Sequence, residues 1–417
     1  IPSLRDRETG GKGSEKMGIR PLEGYRVFDF TVAKSGPYCT AILADFGAEV
    51  IHIENPARPD PVRAMKPGYD GTSTEYLNIH RGKKSVQINA KTEAGRELAY
   101  KLLKKCDVFV ENGKPGSAEK MGLGYKTVKA VKPDIVYASI SGFGQDGPYR
   151  DRAAFDTVVQ AMSGFMSLTG PLGGPFTKAG PSMSDMITGI MTALGVAMGL
   201  LRREKTGEGT YLDASMFDIY TSLMEAAIAD YVNAGVIRRP IGNRHPSNSI
   251  AEPVRCKDSE FILQMFGDEM HRRFFAEFDM PDLTKDERFK DGASRVANRD
   301  VLIDEYVNPA LANYTMAECR EKLTRAKCPF GEMNTIEQLV EDPQFRHREC
   351  MIPVTDSKNG TYQIYGSPFK FNNFDMPRKT FAAQAGEHNV SVLRDVLDMK
   401  DNEIKDIFGR MGVNVDI

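Results

Sequence analysis

The segment that decides the fold is Tyr25–Glu54, which reads YRVFDFTVAKSGPYCTAILADFGAEVIHIE. Tyr25–Thr31 is a short apolar run rich in residues that favour strands, and Ala48–Glu54 is a second one. Between them, Gly36-Pro37 leads into a helical pattern over Tyr38–Phe46. Two strands separated by a helix predict a crossover unit, from which parallel sheets are built.

The same alternation continues along the next 85 residues. Thr92 begins a predicted helix that ends near Asp107, and a second helix is predicted over Tyr125–Val131. Strands are predicted over Asp107–Glu111 and Pro133–Ser139. This order predicts a doubly wound, Rossmann-like α/β domain with a parallel sheet and helices on both of its faces.

The chain is long enough for a second domain, because 417 residues exceed the roughly 250–300 at which a single core stops growing. Helical patterns over Phe261–Phe275, Lys285–Arg299 and Asp304–Lys327, with strands near Glu260–Met265, predict a smaller α+β domain. The predicted division is a disordered leader or tag at 1–17, the large domain at 18–235, the small domain with its linkers at 236–350, and a return to the large domain at 351–417.

Composition and motifs exclude several classes of protein. With 55 Lys+Arg against 57 Asp+Glu, the chain lacks the basic excess of a nucleic-acid-binding protein. Six cysteines without a C-x-x-C pair favour a reducing, cytoplasmic location. The turn after the first predicted strand, residues 33–37, carries no G-x-G-x-x-G, and the sequence contains no Walker A or H-E-x-x-H motif, so neither a nucleotide cofactor nor a metal is predicted. The apolar stretch Met186–Leu201 is shorter than the ~20 residues of a membrane span, and we expect a buried helix and no membrane.

Asp185 directly precedes that apolar helical stretch. Aspartate is a preferred N-cap residue, so a purely structural role is one interpretation. The other is chemical, because a carboxylate kept ionised by a helix N-terminus can attack an activated acyl carbon. The spacing alone leaves both interpretations open.

A set of short segments, in the same order along the chain, resembles the class III CoA-transferase family, which includes formyl-CoA:oxalate and carnitine CoA-transferases. The resemblance begins at Leu22–Glu54 and covers nearly all of the chain after Met17. The further matching segments are NIHRGKKS (78–85), DVFVENGKPGSAEKMG (107–122), SISGFGQDGP (139–148), FDTVVQAMSG (155–164), Gly180–Gly189, KTGEGTYLDASM (205–216), GNRHP (242–246) and GEHN (386–389).

The resemblance implies that Asp185 is the nucleophile of a CoA transfer between an acyl-CoA donor and a carboxylic acid acceptor. It attacks the thioester to form a mixed anhydride, which CoA thiolate converts into an enzyme-bound thioester. Asp156 matches an acidic residue of relatives, so either a supporting role or an ordinary capping role is expected. CoA thioesters are substrates here, and no cofactor is expected. The residues implied to bind CoA or substrate are Val32, Lys34, Ser35, Asn55, Arg58, Ile88, Lys91, Asn112 and Lys120, although each lysine is as readily a solvated surface residue.

Two other functions remain open from the sequence. Related racemases carry a histidine where this chain has Phe155, and its absence favours transfer over an acyl-CoA racemase or isomerase that uses Asp185 in proton transfer. A catalytically silent acyl-CoA-binding protein is the third reading. The resemblance also implies an interlocked, ring-like homodimer, with Gly189, Gly195 and Gly199 permitting close helix approach; a helix buried within one subunit is the alternative. The donor and acceptor acids are not indicated.

Overall fold

A six-stranded parallel sheet organises the first half of the protein and confirms the predicted doubly wound α/β fold. The computed structural model describes residues 18–69, 72–356, 360–374, 376 and 380–417. The predicted leader at 1–17 lies outside these residues.

The strands of the described residues are β1 Arg26–Phe30, β2 Glu49–Glu54, β3 Gly68–Tyr69, β4 Thr72–Ser73, β5 Lys83–Gln87, β6 Val108–Glu111, β7 Val136–Ser141, β8 Thr210–Ser215, β9 Ala251–Arg255, β10 Glu260–Gln264, β11 Phe330–Glu332, β12 Met351–Asp356 and β13 Gly360–Tyr365. The helices are α1 Ser35–Asp45, α2 Thr74–Ile79, α3 Glu93–Leu103, α4 Ser117–Lys120, α5 Tyr125–Val131, α6 Asp156–Met162, α7 Phe165–Leu168, α8 Met183–Thr206, α9 Met216–Ser222, α10 Glu225–Ala234, α11 Gly267–Glu277, α12 Gly292–Ala297, α13 Arg299–Val301, α14 Asn308–Leu311, α15 Met316–Ala326, α16 Ile336–Glu341, α17 Pro343–His347, α18 Asn389–Leu397 and α19 Asp401–Arg410. Short 3₁₀ turns cover Pro61–Ala64 and Leu283–Lys285, and a π-helical turn covers Leu302–Val307.

The parallel sheet has the strand order β5-β2-β1-β6-β7-β8. Successive side chains of β1 point to opposite faces of the sheet. Phe28 points into a core that includes Leu98 of α3 and Leu393 of α18, whereas Asp29 accepts a hydrogen bond from Thr40 of α1. Helices therefore cover both faces, and the C-terminal segment joins the α3 side.

The chain divides into two compact units. Unit 1 contains the described residues 18–163, with Ala179–Glu225 and His347–Ile417; unit 2 contains Gly164–Lys178 and Ala226–Arg346. The outer boundaries of unit 2 lie at Ala226 and Arg346, whereas the predicted small domain covers 236–350. The sequence did not indicate that residues 164–178 belong with the smaller unit.

Unit 2 has its own apolar core, in which Phe261 of β10, Phe274 of α11 and Leu323 of α15 are fully buried. β10 pairs antiparallel with β9 and β11. The helices predicted over Phe261–Phe275 and Asp304–Lys327 are each too long, because a strand and a turn precede α11 and a break at residues 312–315 precedes α15.

α8 spans 24 residues and is longer than the predicted apolar stretch. By length and composition alone, it is the one helix of the described chain that could cross a membrane. One of its faces packs inside unit 1, where a Cβ added at Gly195 would lie 2.6 Å from Leu212 and one at Gly199 2.8 Å from Val136. These glycines therefore serve packing within one chain, which is the alternative that the sequence left open.

Candidate active site

The crevice of unit 1 lies where β1 and β6 are adjacent and the chain leaves them towards opposite edges of the sheet. Ligands of doubly wound proteins bind at this position, beyond the carboxyl ends of the strands. Val32 follows β1 and Asn112 follows β6. The Val32 N–H donates to Asn112 Oδ1 at 2.9 Å, and Asn112 Nδ2 donates to the Val32 carbonyl at 2.7 Å. The structure thus joins two of the predicted CoA-binding residues.

The loop after β1 has a fixed shape. Ala33 adopts a left-handed conformation, with φ of 65°, and its N–H donates to Asp60 Oδ2 at 3.1 Å. Ser35 is buried at the start of α1. A Cβ at Gly36 would lie 2.6 Å from the Thr31 side chain and 2.9 Å from that of Asn112, so glycine allows α1 to begin against both strand ends.

Lys34 extends from this loop to the beginning of α8. Its Nζ lies 2.5 Å from Glu75 Oε1 and donates to Ser182 Oγ at 3.3 Å. Helices α1 and α8 approach closely because residue 189 is glycine. A Cβ there would lie 2.8 Å from the Ser35 carbonyl oxygen. Lys34 is therefore held beside the first turn of α8.

Asp185 lies half-buried in that first turn, three residues after Ser182 at the N-cap position. The N–H groups of Ser184 and Asp185 donate instead to Asp156 Oδ1, at 2.9 and 3.4 Å. Asp156, from another helix, thus caps α8, and the N-cap interpretation of Asp185 is wrong. None of the described residues donates a hydrogen bond to the Asp185 carboxylate, which is left available for chemistry.

The environment raises the pKa of Asp185 to about 6. Burial is the largest cause, followed by the negative charge of Asp156, while Lys34 lowers the pKa and Glu75 raises it slightly. The helix N-terminus does not lower the pKa of this carboxylate, because burial raises it and the Ser184 and Asp185 N–H groups donate to Asp156 instead. A carboxylate of this pKa is ionised at neutral pH and more basic than an ordinary aspartate.

Asp156 is itself firmly positioned. Gln160 Nε2 donates to its Oδ2 at 2.7 Å, Ser184 Oγ donates to its Oδ1 at 2.9 Å, and Gln160 Oε1 accepts the Ala179 N–H at 2.9 Å. The neighbouring Phe155 side chain is 77% exposed and carries no proton to exchange. Three carboxylates and one lysine therefore lie around the start of α8: Asp156, Asp185, Glu75 and Lys34.

Four of the predicted CoA-binding residues lie elsewhere on unit 1, and no contact in the described part of the chain links them to Asp185. Asn55 closes a turn after β2, where its Oδ1 accepts the Ala57 N–H at 3.0 Å, and Arg58 is exposed in the same turn. Ile88 is buried in the core of unit 1, so its side chain has a structural role. Lys91 is exposed in the turn before α3.

Lys120 lines a cavity of about 280 Å³ that sequence reasoning had not assembled. Its polar lining carries a positive excess, with Lys114, Lys120, Arg150 and Arg152 against Asp151. Arg150 is held by the Gln145 carbonyl and by Asp151, each at 2.8 Å. The two lysines were visible in the segment GKPGSAEK, but the arginines come from the loop after β7, and only the fold brings them together.

Glu111, at the end of β6, is a further group that the sequence did not indicate. It is buried, and burial raises its pKa to about 7 despite hydrogen bonds from Ser139 and the Gly113 N–H. The Gly113 bond, at 2.8 Å, shapes the turn that presents Asn112. Glu111 therefore helps to fix the position of Asn112 at the crevice.

Comparison with known proteins agrees with this geometry. The model of CoA-transferase family III matches residues 22–389. The chain belongs to CoA-transferase family III. A human succinyl-CoA:glutarate CoA-transferase is 30% identical over 400 residues, which cover 96% of this chain and 91% of that protein. An acetyl-CoA:oxalate CoA-transferase from Acetobacter aceti is 33% identical, covering 90% of this chain and 95% of the relative.

Solved structures of the family have the same fold. The crystal structure of a CAIB/BAIF family protein from Brucella suis superposes with a TM-score of 0.81 at 29% identity, covering 91% of this chain and all of that one. The family assignment that the sequence segments suggested is confirmed, and the protein is a class III CoA-transferase.

Proposed function

We propose that this enzyme moves CoA from an acyl-CoA donor to a small carboxylic acid, with Asp185 as the nucleophile. The observation that carries the proposal is the Asp185 carboxylate itself, which is half-buried and without a hydrogen-bond donor among the described residues. Its pKa of about 6 leaves it ionised at neutral pH and a better nucleophile than an ordinary aspartate. The relatives named above act on succinyl-CoA with glutarate and on acetyl-CoA with oxalate.

The reaction proceeds by acyl exchange on one carboxylate. Asp185 attacks the donor thioester, the C–S bond breaks, and a mixed anhydride and CoA thiolate result. The thiolate attacks the aspartyl carbonyl and releases the donor acid, leaving an aspartyl-CoA thioester. The acceptor carboxylate attacks that thioester, which gives a second mixed anhydride and frees the CoA thiolate. The thiolate then attacks the acceptor carbonyl of this anhydride, which forms the acceptor acyl-CoA and restores the Asp185 carboxylate.

Charged neighbours suit these steps. Lys34, close to Ser182 and on the loop beside Asp185, is placed to attract the carboxylate of a donor or acceptor acid. Asp156 fixes the first turn of α8, because its Oδ1 accepts the Ser184 and Asp185 N–H groups. The chain needs no cofactor for any of these bonds to form or break.

The cavity around Lys120 is proposed to take the phosphate groups of CoA. Lysine and arginine side chains meet phosphates as charged hydrogen-bond donors, and the cavity follows the carboxyl ends of β6 and β7, as ligand sites of this fold do. Val32, Ser35 and Asn112 line the crevice, and Asn55, Arg58 and Lys91 stay proposed contacts. A proposed contact of Ile88 is limited to its backbone, because its side chain is buried.

A homodimer in the cytoplasm is proposed as the working form, with no nucleic acid or membrane partner. Beyond its packed face, α8 exposes a row of large apolar side chains, each 44–52% exposed: Ile190, Met191, Leu194, Met198 and Leu201. Apolar surface of this extent favours coverage by another protein surface, for which a second copy of the chain is the proposed occupant. The free state of all six cysteines suits a reducing compartment.

The transfer proposal is tested by Asp185→Asn, which keeps the shape of the side chain and removes the nucleophile. We expect CoA exchange between succinyl-CoA and a panel of dicarboxylic acids to fall by at least about a thousandfold, by analogy with loss of a covalent nucleophile. Asp395→Asn, at an exposed position of α18, is the matched control. Exchange that survives in Asp185→Asn would overturn the assignment of Asp185 as the nucleophile. α-Deuterium uptake from deuterated water without an acceptor acid would favour the racemase alternative.

A further inference from the structure

A buried polar cluster lies beneath the loop that carries Lys34. It consists of His52 on β2, His80 at the end of α2, and Asp60, which are 1%, 1% and 3% exposed. None of them belongs to the transfer site described above. Sequence spacing could not indicate the cluster, because its members come from three separate segments.

The histidines of this cluster lack the partners that buried histidines normally have. His52 Nδ1 faces Asp29 Oδ2 at 3.3 Å, but His52 Nε2 and both ring nitrogens of His80 have no hydrogen-bond partner among the described residues. His271 in unit 2 shows the contrast: its Nδ1 lies 2.8 Å from the Gly267 carbonyl and its Nε2 3.0 Å from that of Ser249. The ring nitrogens of His52 and His80 therefore need a partner other than the described side chains.

The charges around the cluster leave one carboxylate without a cationic partner. Lys83 Nζ pairs with Asp29 at 3.0 Å, and Arg63 pairs with Glu54 at 2.6 Å. Asp60 has no lysine or arginine partner in the described part of the chain. It accepts the Val62 and Ala33 N–H groups, and His80 Nε2 lies 3.6 Å from its Oδ2. A buried carboxylate that lies beside two imidazoles and has no lysine or arginine partner favours a bound cation.

We propose that His52, Asp60 and His80 bind a divalent transition-metal ion of the zinc class. One ligand atom from each residue lies within 4.8 Å of the other two. The two imidazole rings flank the same space, with centroids 4.4 Å apart. Two imidazoles and a carboxylate are a set that suits Zn²⁺, with bonds of about 2.0–2.2 Å, so binding draws the ligands together by about 1 Å.

The surroundings of the cluster are those of a metal site. Asp29 faces the Nδ1 of His52 and orients its ring, as a second carboxylate commonly does for a ligating histidine. Tyr76 stacks on His80 at 4.0 Å between centroids and fixes that ring. Asp60 Oδ2 also accepts the Ala33 N–H, so the ion would hold the loop that presents Lys34.

The test is zinc binding by the full chain after treatment with a chelator and dialysis against Zn²⁺. Metal content is expected to be about one ion per chain, and X-ray absorption is expected to show imidazole nitrogen and carboxylate oxygen at about 2.0–2.2 Å. Zinc content at background, or sulfur ligands at about 2.3 Å from the free cysteines, would overturn the proposal. This readout is independent of turnover, and so of the proposed transfer reaction.

Variants sharpen the assignment. His52→Gln and His80→Gln are each expected to weaken zinc binding by at least about tenfold, whereas His347→Gln, an exposed histidine on α17, leaves it unchanged. Unaltered binding in a folded His80→Gln variant contradicts the site. If both variants fail to fold, the absorption spectrum of the unaltered protein still decides.

Discussion

At the scale of single residues, the protein concentrates its chemistry at the start of α8. Asp185 was identified as the nucleophile by resemblance, and the structure supplies what resemblance could not: Asp156 rather than Asp185 caps the helix. None of the described residues donates to the Asp185 carboxylate, and burial, together with the charge of Asp156, raises its pKa to about 6. Neither the capping bond nor the Lys34–Glu75 pair was predictable, because both join segments distant in the chain.

The pH dependence of transfer follows from the Asp185 pKa. Because the ionised carboxylate reacts, kcat/KM is expected to fall about tenfold per pH unit below about 6. Lys34→Met removes a charge that lowers this pKa and moves the acid limb to higher pH; Asp156→Asn removes one that raises it and moves the limb to lower pH. A pH–rate profile of each variant, with exposed Lys405→Met as control, measures this. Shifts in the opposite directions contradict the electrostatic account.

The basic cavity makes a separate prediction for substrate binding. Lys120→Ala and Arg150→Ala are expected to raise KM for acyl-CoA by about 5- to 150-fold each, as loss of about 1–3 kcal/mol in a charged hydrogen bond implies. KM for the acceptor acid should stay within about twofold. Steady-state kinetics with each substrate varied in turn checks this, and Lys129→Ala on α5 serves as control. An equal rise in both KM values would place the phosphates elsewhere.

At the scale of elements, helix and strand order were largely predictable, and two sheet strands were missed. β5, KKSVQ, carries a lysine that is buried because Lys83 pairs with Asp29 across the sheet. β8, TYLDAS, mixes polar and apolar residues with no clear alternation. Periodicity cannot identify strands whose polar residues are satisfied by tertiary partners. The predicted ends of β1, β2 and β6 lie within two residues of the observed ends, because the apolar composition of these strands itself indicates them.

The approach of α8 to α1 is tested at Gly189. In Gly189→Ala, the new Cβ would lie 2.8 Å from the Ser35 carbonyl oxygen, which is closer than van der Waals contact. We expect the free energy of unfolding to fall by about 1–3 kcal/mol and KM for the acid substrate to rise, because Ser35 and Lys34 move together. Urea unfolding and kinetics measure these effects.

The control is Gly409→Ala on α19, where a Cβ meets no atom within 4 Å. There alanine is expected to stabilise the protein by about 0.5–1 kcal/mol. Equal effects of the two substitutions would mean that helix propensity, not the α1–α8 contact, sets the stability at residue 189.

At the scale of the whole molecule, the sequence indicated two domains but not the allocation of residues 164–178 to unit 2. That segment lies between two parts of unit 1 in the sequence, and its Gly- and Pro-rich composition indicates a loop without indicating the unit that the loop joins. The smaller domain was predicted from the length of the chain and from the change of pattern in its second half. The sequence likewise could not indicate which face of α8 is exposed, because this depends on the packing of the opposite face of α8 on β7 and β8.

The proposed dimer is tested on that row. Leu194→Glu together with Met198→Glu is expected to convert a dimer to a monomer, because both charges would be buried on association. Light scattering after size-exclusion chromatography measures the mass, and Ile336→Glu, at a 73% exposed position of unit 2, is the control. A monomeric unaltered protein, or a double variant that stays dimeric, contradicts the proposed surface.

The central claim, covalent transfer through Asp185, is tested most directly by intact-protein mass spectrometry after mixing with succinyl-, acetyl- and formyl-CoA in turn. We predict an adduct of CoA or acyl mass that hydroxylamine removes and that maps to the peptide containing Asp185. Asp185→Asn should show none. Turnover without any such adduct, or an equal adduct in Asp185→Asn, would contradict the claim.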